Sequence, residues 1–374
     1  MINGINRYER YRPRVDYWVL FLVVILSLFG LVMIGSSSAL VAYERFNGEH
    51  NYYYVGLQAL RLVGGVLAMI IFSSVDYHWW KDKSRFMLFL TLALLVAVFI
   101  PGLGETLKGA SRWIHLGPLF FQPSELVKLT FILYLAGWME KRVANISFLP
   151  LMLILGAIVA LIIAQPDMGT LSIVIAIAAA MFFTAGGSLF QMIIGSSLAL
   201  TVFLALIRSS TYRWQRLMIF LNPSSEIQGA GYHINQSLLA IGSGGLWGLG
   251  FGHSIQKYLY LPEPYTDSIF AIIAEELGFV RAALVIIVFI ILAWRGLKIA
   301  KEAPDVYGRL IATGVTVWVS VQMFINIGAL SGLLPLTGVP LPFISYGGSS
   351  LVIIFIAMGI LLNISKQSHS QAKS

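Results

Sequence analysis

Ten mostly apolar runs, most of them close to the length of a bilayer-spanning helix, constrain this chain more than any other feature. They lie near residues 17–35, 57–75, 86–101, 122–140, 147–165, 169–187, 189–208, 268–294, 309–332 and 343–364. A helix crosses the hydrocarbon core with roughly 20 apolar residues, because each advances it only about 1.5 Å. Charged residues make up 11% of the chain and apolar ones 58%, whereas a soluble domain carries roughly 25% charged. Too little polar surface remains to meet water, so the runs face lipid. The expected fold class is an all-α integral membrane protein, a polytopic bundle of about ten transmembrane helices. Residues 1–374 are read as a single membrane domain, with one long extracytoplasmic loop, 209–267, between helices seven and eight.

Positive charge orients such a bundle, because Lys and Arg stay in cytoplasmic loops. With the N-terminus inside, Arg7, Arg10, Arg12, Arg14, Lys81, Lys83, Arg85, Lys141, Arg142, Arg295, Lys298, Lys301, Arg309, Lys366 and Lys373 fall inside, fifteen against seven outside. An even number of spans returns the C-terminus to the same side. The formal charge of +8 is thereby explained as loop anchoring, and nucleic acid is not an expected partner. Ser37-Ser38-Ala39 imitates a signal-peptide cleavage site, yet the preceding apolar run exceeds the usual ~7–15 residue signal core. It is read as a retained first helix. The chain has no cysteine, which excludes disulfides, thiol catalysis and cysteine-ligated metals.

On this topology four polar stretches fall on the outer side. They are Lys108–Ile114 with Gln122–Lys128, Gln165–Gly169, Pro262–Ser268 and Pro340–Ser350. Glu125 and Lys128 are three residues apart on a helix, so they share a face and can pair, as a structural ion pair or as functional groups. Asp167 either caps the helix that follows or contacts substrate or metal. Asp267 first reads as an N-cap. Glu275, eight residues on, lies about 12 Å deeper, too far for a close carboxylate pair, so Glu275 or Glu276 is expected to brace neighbouring helices. The glycine-rich run 242–252 lacks the lysine of a phosphate loop and suits flexibility or close packing. The aromatics of the long loop suggest an interfacial cap. His115, His233 and His253 show no metal spacing, and no Gly-x-Ser-x-Gly nucleophile elbow occurs. Ser345–Ser350 reads as a tight turn starting the last helix. These features allow a transporter, an enzyme acting on a lipid-linked substrate, or a scaffold.

Five motifs resemble the SEDS family (shape, elongation, division and sporulation proteins) of bacterial cell-wall polymerases: Phe121-Gln-Pro-Ser-Glu-Leu-Val-Lys128, Gln165-Pro-Asp-Met-Gly169, Gln236-Ser-Leu-Leu-Ala-Ile-Gly-Ser-Gly-Gly245, Leu261-Pro-Glu-Pro-Tyr-Thr-Asp267 and Leu341-Pro-Phe-Ile-Ser-Tyr-Gly-Gly-Ser-Ser350. The stretch His253–Asp267 looks closer to FtsW than to RodA. The resemblance implies a ten-helix peptidoglycan glycosyltransferase of the bacterial cytoplasmic membrane, both termini cytoplasmic. It would polymerise lipid II outside, for division or elongation, beside a class B penicillin-binding protein and other divisome or elongasome proteins. Carried over by motif, Asp267 is the essential aspartate and expected general base. Glu125, Lys128 and Asp167 match polar cavity residues, and Arg112 and Arg213 match less closely. Gln236 and Ser345 join them as substrate-binding positions. Lys128, Arg112 and Arg213 are the expected stabilisers of the leaving diphosphate. A divalent cation, Mg or Mn, is compatible with such chemistry, although no ligand spacing reveals one. The rival readings are a lipid II flippase and a non-catalytic scaffold for the penicillin-binding protein. Two positions depart from the family pattern, Lys108 where asparagine is frequent and Arg281 where glycine is common. Arg281 is expected to pair with Glu276 or Glu275.

Overall fold

A computed structural model describes residues 15–107, 110–116, 119–142, 148–221 and 231–371. Arg7, Arg10, Arg12, Arg14, Lys108 and Lys373 lie outside the described residues. Among the described residues the helices are α1 (Tyr17–Arg45), α2 (Tyr53–Ser74), α3 (Trp79–Ala97), α4 (Pro123–Glu140), α5 (Phe148–Ala164), α6 (Met168–Thr184), α7 (Leu189–Arg208), α8 (Thr211–Leu221), α9 (Tyr232–Ser243), α10 (Ile269–Glu302), α11 (Val306–Leu330) and α12 (Gly348–Gln371). Ten of these occupy the ten expected runs. The other two, α8 and α9, lie in the segment read as a loop, which is therefore partly helical.

By length and composition, α1, α2, α10, α11 and α12 can each cross a membrane, while α5, α6 and α7 offer shorter apolar stretches. Helix α4 carries three charges, Glu125, Lys128 and Glu140, and the first two lie buried inside the bundle. Charge tolerated in a spanning segment normally faces a protein interior and marks function. The core is built from α4, α6, α11 and α12, with α2 lying along α12, α10 along α11, and α3 on α4. Large side chains such as Phe86 and Phe89 project outward at 68% and 71% exposure, as expected where lipid takes the place of water.

The helical fold expected is joined by a small antiparallel sheet, β1 (Gly104–Leu107), β2 (Ala110–Leu116) and β3 (Leu119–Phe121), in the order β1-β2-β3. A period-2 pattern is short and weak beside the runs that flank it, so the sheet is hard to read in sequence. At the opposite end of the bundle, Asp16 caps α1, accepting from the Trp18 and Val19 amides at 3.0 and 3.2 Å. Its other oxygen pairs with Arg295 near the end of α10, and its own N–H donates to Ser365 of α12. The start of α1 and the ends of α10 and α12 therefore share one face.

Helix α10 is broken at Gly278, whose φ of 80° and ψ of 173° are not helical. The break removes the bonds that would run from Phe279 and Val280 back to Glu275 and Glu276. The glycine-rich run replaces all of them. Leu249 and Gly250 donate to the carbonyls of Glu275 and Glu276 at 3.0 Å, and Phe279 and Val280 donate to Gly245 and Leu246 at 2.8 and 3.2 Å. Unsatisfied backbone groups within a bilayer cost several kcal/mol each, so a break survives only with such rescue. A Cβ at Gly248 would stand 2.2 Å from the Glu276 oxygen. Close packing, one of the two roles foreseen for this run, is what it performs.

Candidate active site

Helix α4 starts at Pro123, the ring φ of proline being preorganised for a first turn. One turn later Glu125 and Lys128 meet, with Nζ 2.8 Å from the carboxylate and both side chains buried. Lys128 also donates to Gln322 Oε1 at 3.0 Å and sits 4.8 Å from the centre of the Trp318 ring, whose indole N–H donates to the same oxygen at 2.7 Å. The Gln322 amide then donates to the Pro340 carbonyl at 2.9 Å. One turn along α11, Asn326 donates to the Val339 and Asp267 carbonyls, both at 2.7 Å. A continuous path of polar contacts and short backbone links thus connects the buried ion pair to the loop that carries Asp267.

Asp167 caps α6, one of the two roles foreseen for it, accepting from the Thr170 amide at 3.1 Å and the Thr170 hydroxyl at 2.9 Å. It is buried, with Ser124 at 3.5 Å and Arg112 Nη1 at 4.0 Å. Arg112, presented by β2, donates to the Gln165 carbonyl at 3.0 Å and to the Pro166 carbonyl. Arg213 of α8 reaches the Ile163 carbonyl at 3.5 Å. Two guanidinium groups therefore embrace the C-terminal end of α5, where the helix dipole is negative. The same turn holds Asp167.

Asp267 does not cap α10, which corrects the first reading of that residue. The cap position is Ser268, and its hydroxyl instead donates to the Pro262 carbonyl at 2.8 Å and lies 2.7 Å from His233 Nε2. The Asp267 carboxylate shares the Thr266 hydroxyl with Glu263, at 3.2 and 2.9 Å respectively. A Cβ on Gly338 would stand 3.4 Å from Asp267 Oδ2, so the 337–340 segment abuts the aspartate. On the other side the Tyr346 amide donates to the Tyr265 carbonyl at 2.9 Å. Tyr54, Tyr265 and Tyr346 cluster there, with ring centres 4.7–5.5 Å apart. Burial, with the Tyr54 hydrogen bond and the neighbouring tyrosines, pushes the Tyr265 phenol well above its usual range. Gln122 completes the ring, its amide donating to Ser349 at 3.1 Å and its side chain to Ser124 at 3.0 Å. All four polar stretches meet at one end of the bundle, as the topology required.

The remaining expectations divide. Gln236 is partly buried on α9, which packs against α10 and α11. The Ser345 hydroxyl accepts from the Leu341 amide at 2.8 Å, so it closes a turn over 341–345, just ahead of the 345–350 stretch where a turn was expected. Glu276 braces α10 against α1 through Ser36 at 2.7 Å and pairs with Lys257 at 2.8 Å. Glu275 accepts from Ser254 and from the Ile255 amide at 3.0 Å. Arg281 pairs with neither acid, correcting that expectation. Its guanidinium donates to the carbonyls of Trp247 and Leu277 at 3.0 and 3.3 Å, and both glutamates are already engaged elsewhere.

Four polar residues of this end escaped the sequence reading. They are Gln322, Asn326, Arg216, which donates to the Leu336 carbonyl at 2.8 Å, and Arg61, 4.7 Å above the Tyr346 ring. A polar pair at i,i+4 and a lone arginine within apolar runs were the available signals. Among the described residues there is no group of three or more His, Cys, Asp or Glu side chains placed to hold a metal.

The profile of a family described as cell cycle proteins, FtsW/RodA/SpoVE, matches residues 17–370. The chain belongs to that family. It is 40% identical to stage V sporulation protein E of Bacillus subtilis (strain 168) over 358 residues, 94% of this chain and 97% of that protein. It is 41% identical to the probable peptidoglycan glycosyltransferase FtsW of Geobacter sp. (strain M18) over 363 residues, 96% of this chain and 98% of that one. Among solved structures it matches a chain of a peptidoglycan synthase complex, described as coordinating polymerization and crosslinking, with a TM-score of 0.79, 27% identity, and 95% and 98% coverage of the two chains. It also matches the rod shape determining protein RodA of Thermus thermophilus with a TM-score of 0.70, 26% identity, and 94% and 97% coverage. The SEDS resemblance is borne out, and this FtsW/RodA/SpoVE chain is a multi-pass membrane protein.

Proposed function

We propose that this chain is a peptidoglycan glycosyltransferase that joins lipid II units into glycan strands on the outer side of the bacterial cytoplasmic membrane. The observation that carries this reading is the convergence of Arg112, Asp167, Asp267 and the 337–346 segment at one end of a lipid-facing bundle. A membrane-anchored substrate presents its sugars at that boundary. Transfer requires an acceptor hydroxyl to lose its proton while a diphosphate departs. Asp267 is the general base, a role that depends on position as much as on basicity. Arg112 and Arg213 are placed to stabilise diphosphate charge. Lys128 is reassigned, because its ammonium is fully buried between Glu125 and Gln322. It positions the Asp267 loop instead of touching the leaving group.

Asp267 and Glu263, sharing one hydroxyl, are hard oxygen donors of the kind that suit Mg or Mn. A divalent cation held there would neutralise diphosphate charge. A class B penicillin-binding protein is the proposed partner, on the likeness to a peptidoglycan synthase complex. Both termini are assigned to the cytoplasm, on the lysine and arginine bias. The FtsW likeness favours division, and the sporulation protein likeness supports a second reading, a role in sporulation. A flippase needs a polar route through the bundle. Below the Glu125–Lys128 pair the core is apolar, with Phe131, Ile132, Leu135, Ile177 and Met181 buried, which disfavours that route. The deciding experiment is polymerisation of purified lipid II with and without a co-purified class B partner. Wild type should make glycan and Asp267→Asn should not. A folded, partner-bound Asp267→Asn protein that still makes strands removes Asp267 from the mechanism, and transport of labelled lipid II without polymer favours the flippase.

A further inference from the structure

At the opposite end of α4 from Asp167 there is a second polar site, which the polymerisation chemistry does not use. A cavity of about 210 Å³ opens between the start of α3 and the end of α4. Lys81, Arg85, Lys141 and Arg142 line it, with Asp82 as the one lining acid. Lys81 is held by Glu140 at 2.6 Å. That leaves three cations facing one carboxylate. Arg142 lies over the Trp138 ring at 4.9 Å, and its guanidinium donates to the Trp138 carbonyl at 3.4 Å. Trp138 also lines the cavity. Neither Arg85 nor Lys141 has an ion-pair partner among the described residues.

Two further observations say what this cavity takes. First, it stands at the far membrane boundary. A Cβ on Gly137 would lie 3.6 Å from Lys81 Cγ, while Glu125 sits twelve residues earlier on α4, about 18 Å along the helix. Second, Phe89 is one turn deeper than Arg85 on the same face of α3 and is 71% exposed, with Phe86 beside it at 68%. An anion seated at Arg85 is therefore continuous with an apolar, lipid-facing stripe. Arg and Lys together suit phosphate oxygens, Arg by its fork and Lys as a point charge. Basic pockets between the cytoplasmic ends of spanning helices are a general setting for lipid phosphates.

We infer that the cavity between α3 and α4 is a binding site for a phosphate group, supplied by the headgroup of an anionic phospholipid whose acyl chains lie along Phe86 and Phe89. The site is separate from the one that holds Asp267, and its test does not depend on polymerisation. Full-length protein is reconstituted in phosphatidylcholine nanodiscs doped with phosphatidylglycerol. Native mass spectrometry then counts the phosphatidylglycerol retained, and a parallel arm adds inorganic phosphate. Two cations near a membrane surface are worth roughly a thirtyfold difference in affinity, so Arg85→Gln/Lys141→Gln protein should lose retention by that factor. Arg85→Lys/Lys141→Arg protein should keep it. Lys298→Gln/Lys301→Gln protein, with the same change of charge on α10, should also keep it. Protection by inorganic phosphate alone, lost in the Gln variant, would keep the anion site and make its ligand soluble. Equal retention in wild type and the Arg85→Gln/Lys141→Gln variant, with no phosphate effect, overturns the inference. So does an equal loss in the α10 variant, since general surface charge would then suffice.

Discussion

Replacing Lys128 by methionine tests the link between the buried ion pair and the loop that carries Asp267. The pair is 2.8 Å apart with side chains 0% and 4% exposed, so neither charge has water to turn to. At an effective dielectric of 20 the attraction is 332/(20 × 2.8), about 6 kcal/mol, before desolvation is counted. Desolvation cancels much of that gain when both charges are buried together, but not when one partner is removed. Lys128→Met leaves Glu125 stranded and should cost about 3–5 kcal/mol. Removing both charges, in Glu125→Met/Lys128→Met, should be near neutral, because nothing buried is then left unpaired. The assay is equilibrium unfolding in mixed detergent micelles followed by tryptophan fluorescence, run as a double-mutant cycle. A coupling of at least about 2 kcal/mol is expected. The same double variant, stable again, should polymerise lipid II more slowly than wild type, since Gln322 loses the ammonium that helps fix it under Pro340. The reasoning fails if Lys128→Met melts with wild type, or if the double variant is no more stable than the single one.

Other substitutions probe the remaining links. Gly248→Ala meets a carbonyl at 2.2 Å at a φ of +84°, whereas Gly245, at +50°, faces open space. The alanine at 245 should cost about 1–2 kcal/mol for the left-handed backbone, and at 248 clearly more; equal melting curves would argue against the patched helix break. Asn326→Leu frees a buried carbonyl, at about 1–3 kcal/mol, and a half-buried one, and should cut polymerisation at least about tenfold with partner binding intact. An unchanged rate would show that Asn326 does not position Asp267. At the other end, burial pulls the His78 pKa down, but its hydrogen bonds to Asp76 and Asp305 outweigh this and raise it above the usual 6.5. Its stabilisation is complete below pH 6.5 and is lost as pH climbs through the raised value. Asp305 goes the other way. Burial lifts its pKa, yet the Gly308 amide, Tyr77 and His78 hold it below 3.8, so its contribution is present above 3.8 and fades as acid reaches the lowered value. Melting temperature should therefore fall as pH rises past 6.5, and His78→Gln should flatten that limb. A limb of unchanged slope in the variant would mean that another group titrates there.

The sequence by itself determined whatever the bilayer or one helical turn decides locally. Lipid demands apolar runs of fixed length, so ten helices were readable, and an even count put the start of the first and the end of the last on one face, where Asp16 meets Ser365. Spacing of three residues put Glu125 against Lys128, and Asp167 just ahead of a helix offered a cap as one of its two roles. Topology alone gathered the four polar stretches at one end. The tertiary structure decided everything that needed a partner from elsewhere in the chain. Gln322 and Asn326 look like ordinary interruptions of an apolar helix until Pro340, Val339 and Asp267 arrive to accept their bonds. Arg281 turns to carbonyls because Ser254, Ser36 and Lys257 had already claimed the two glutamates. The break at Gly278 exists because the glycine run at 242–252 can stand in for the lost helical bonds. Such choices depend on which groups meet in space after packing, and local periodicity holds no record of them.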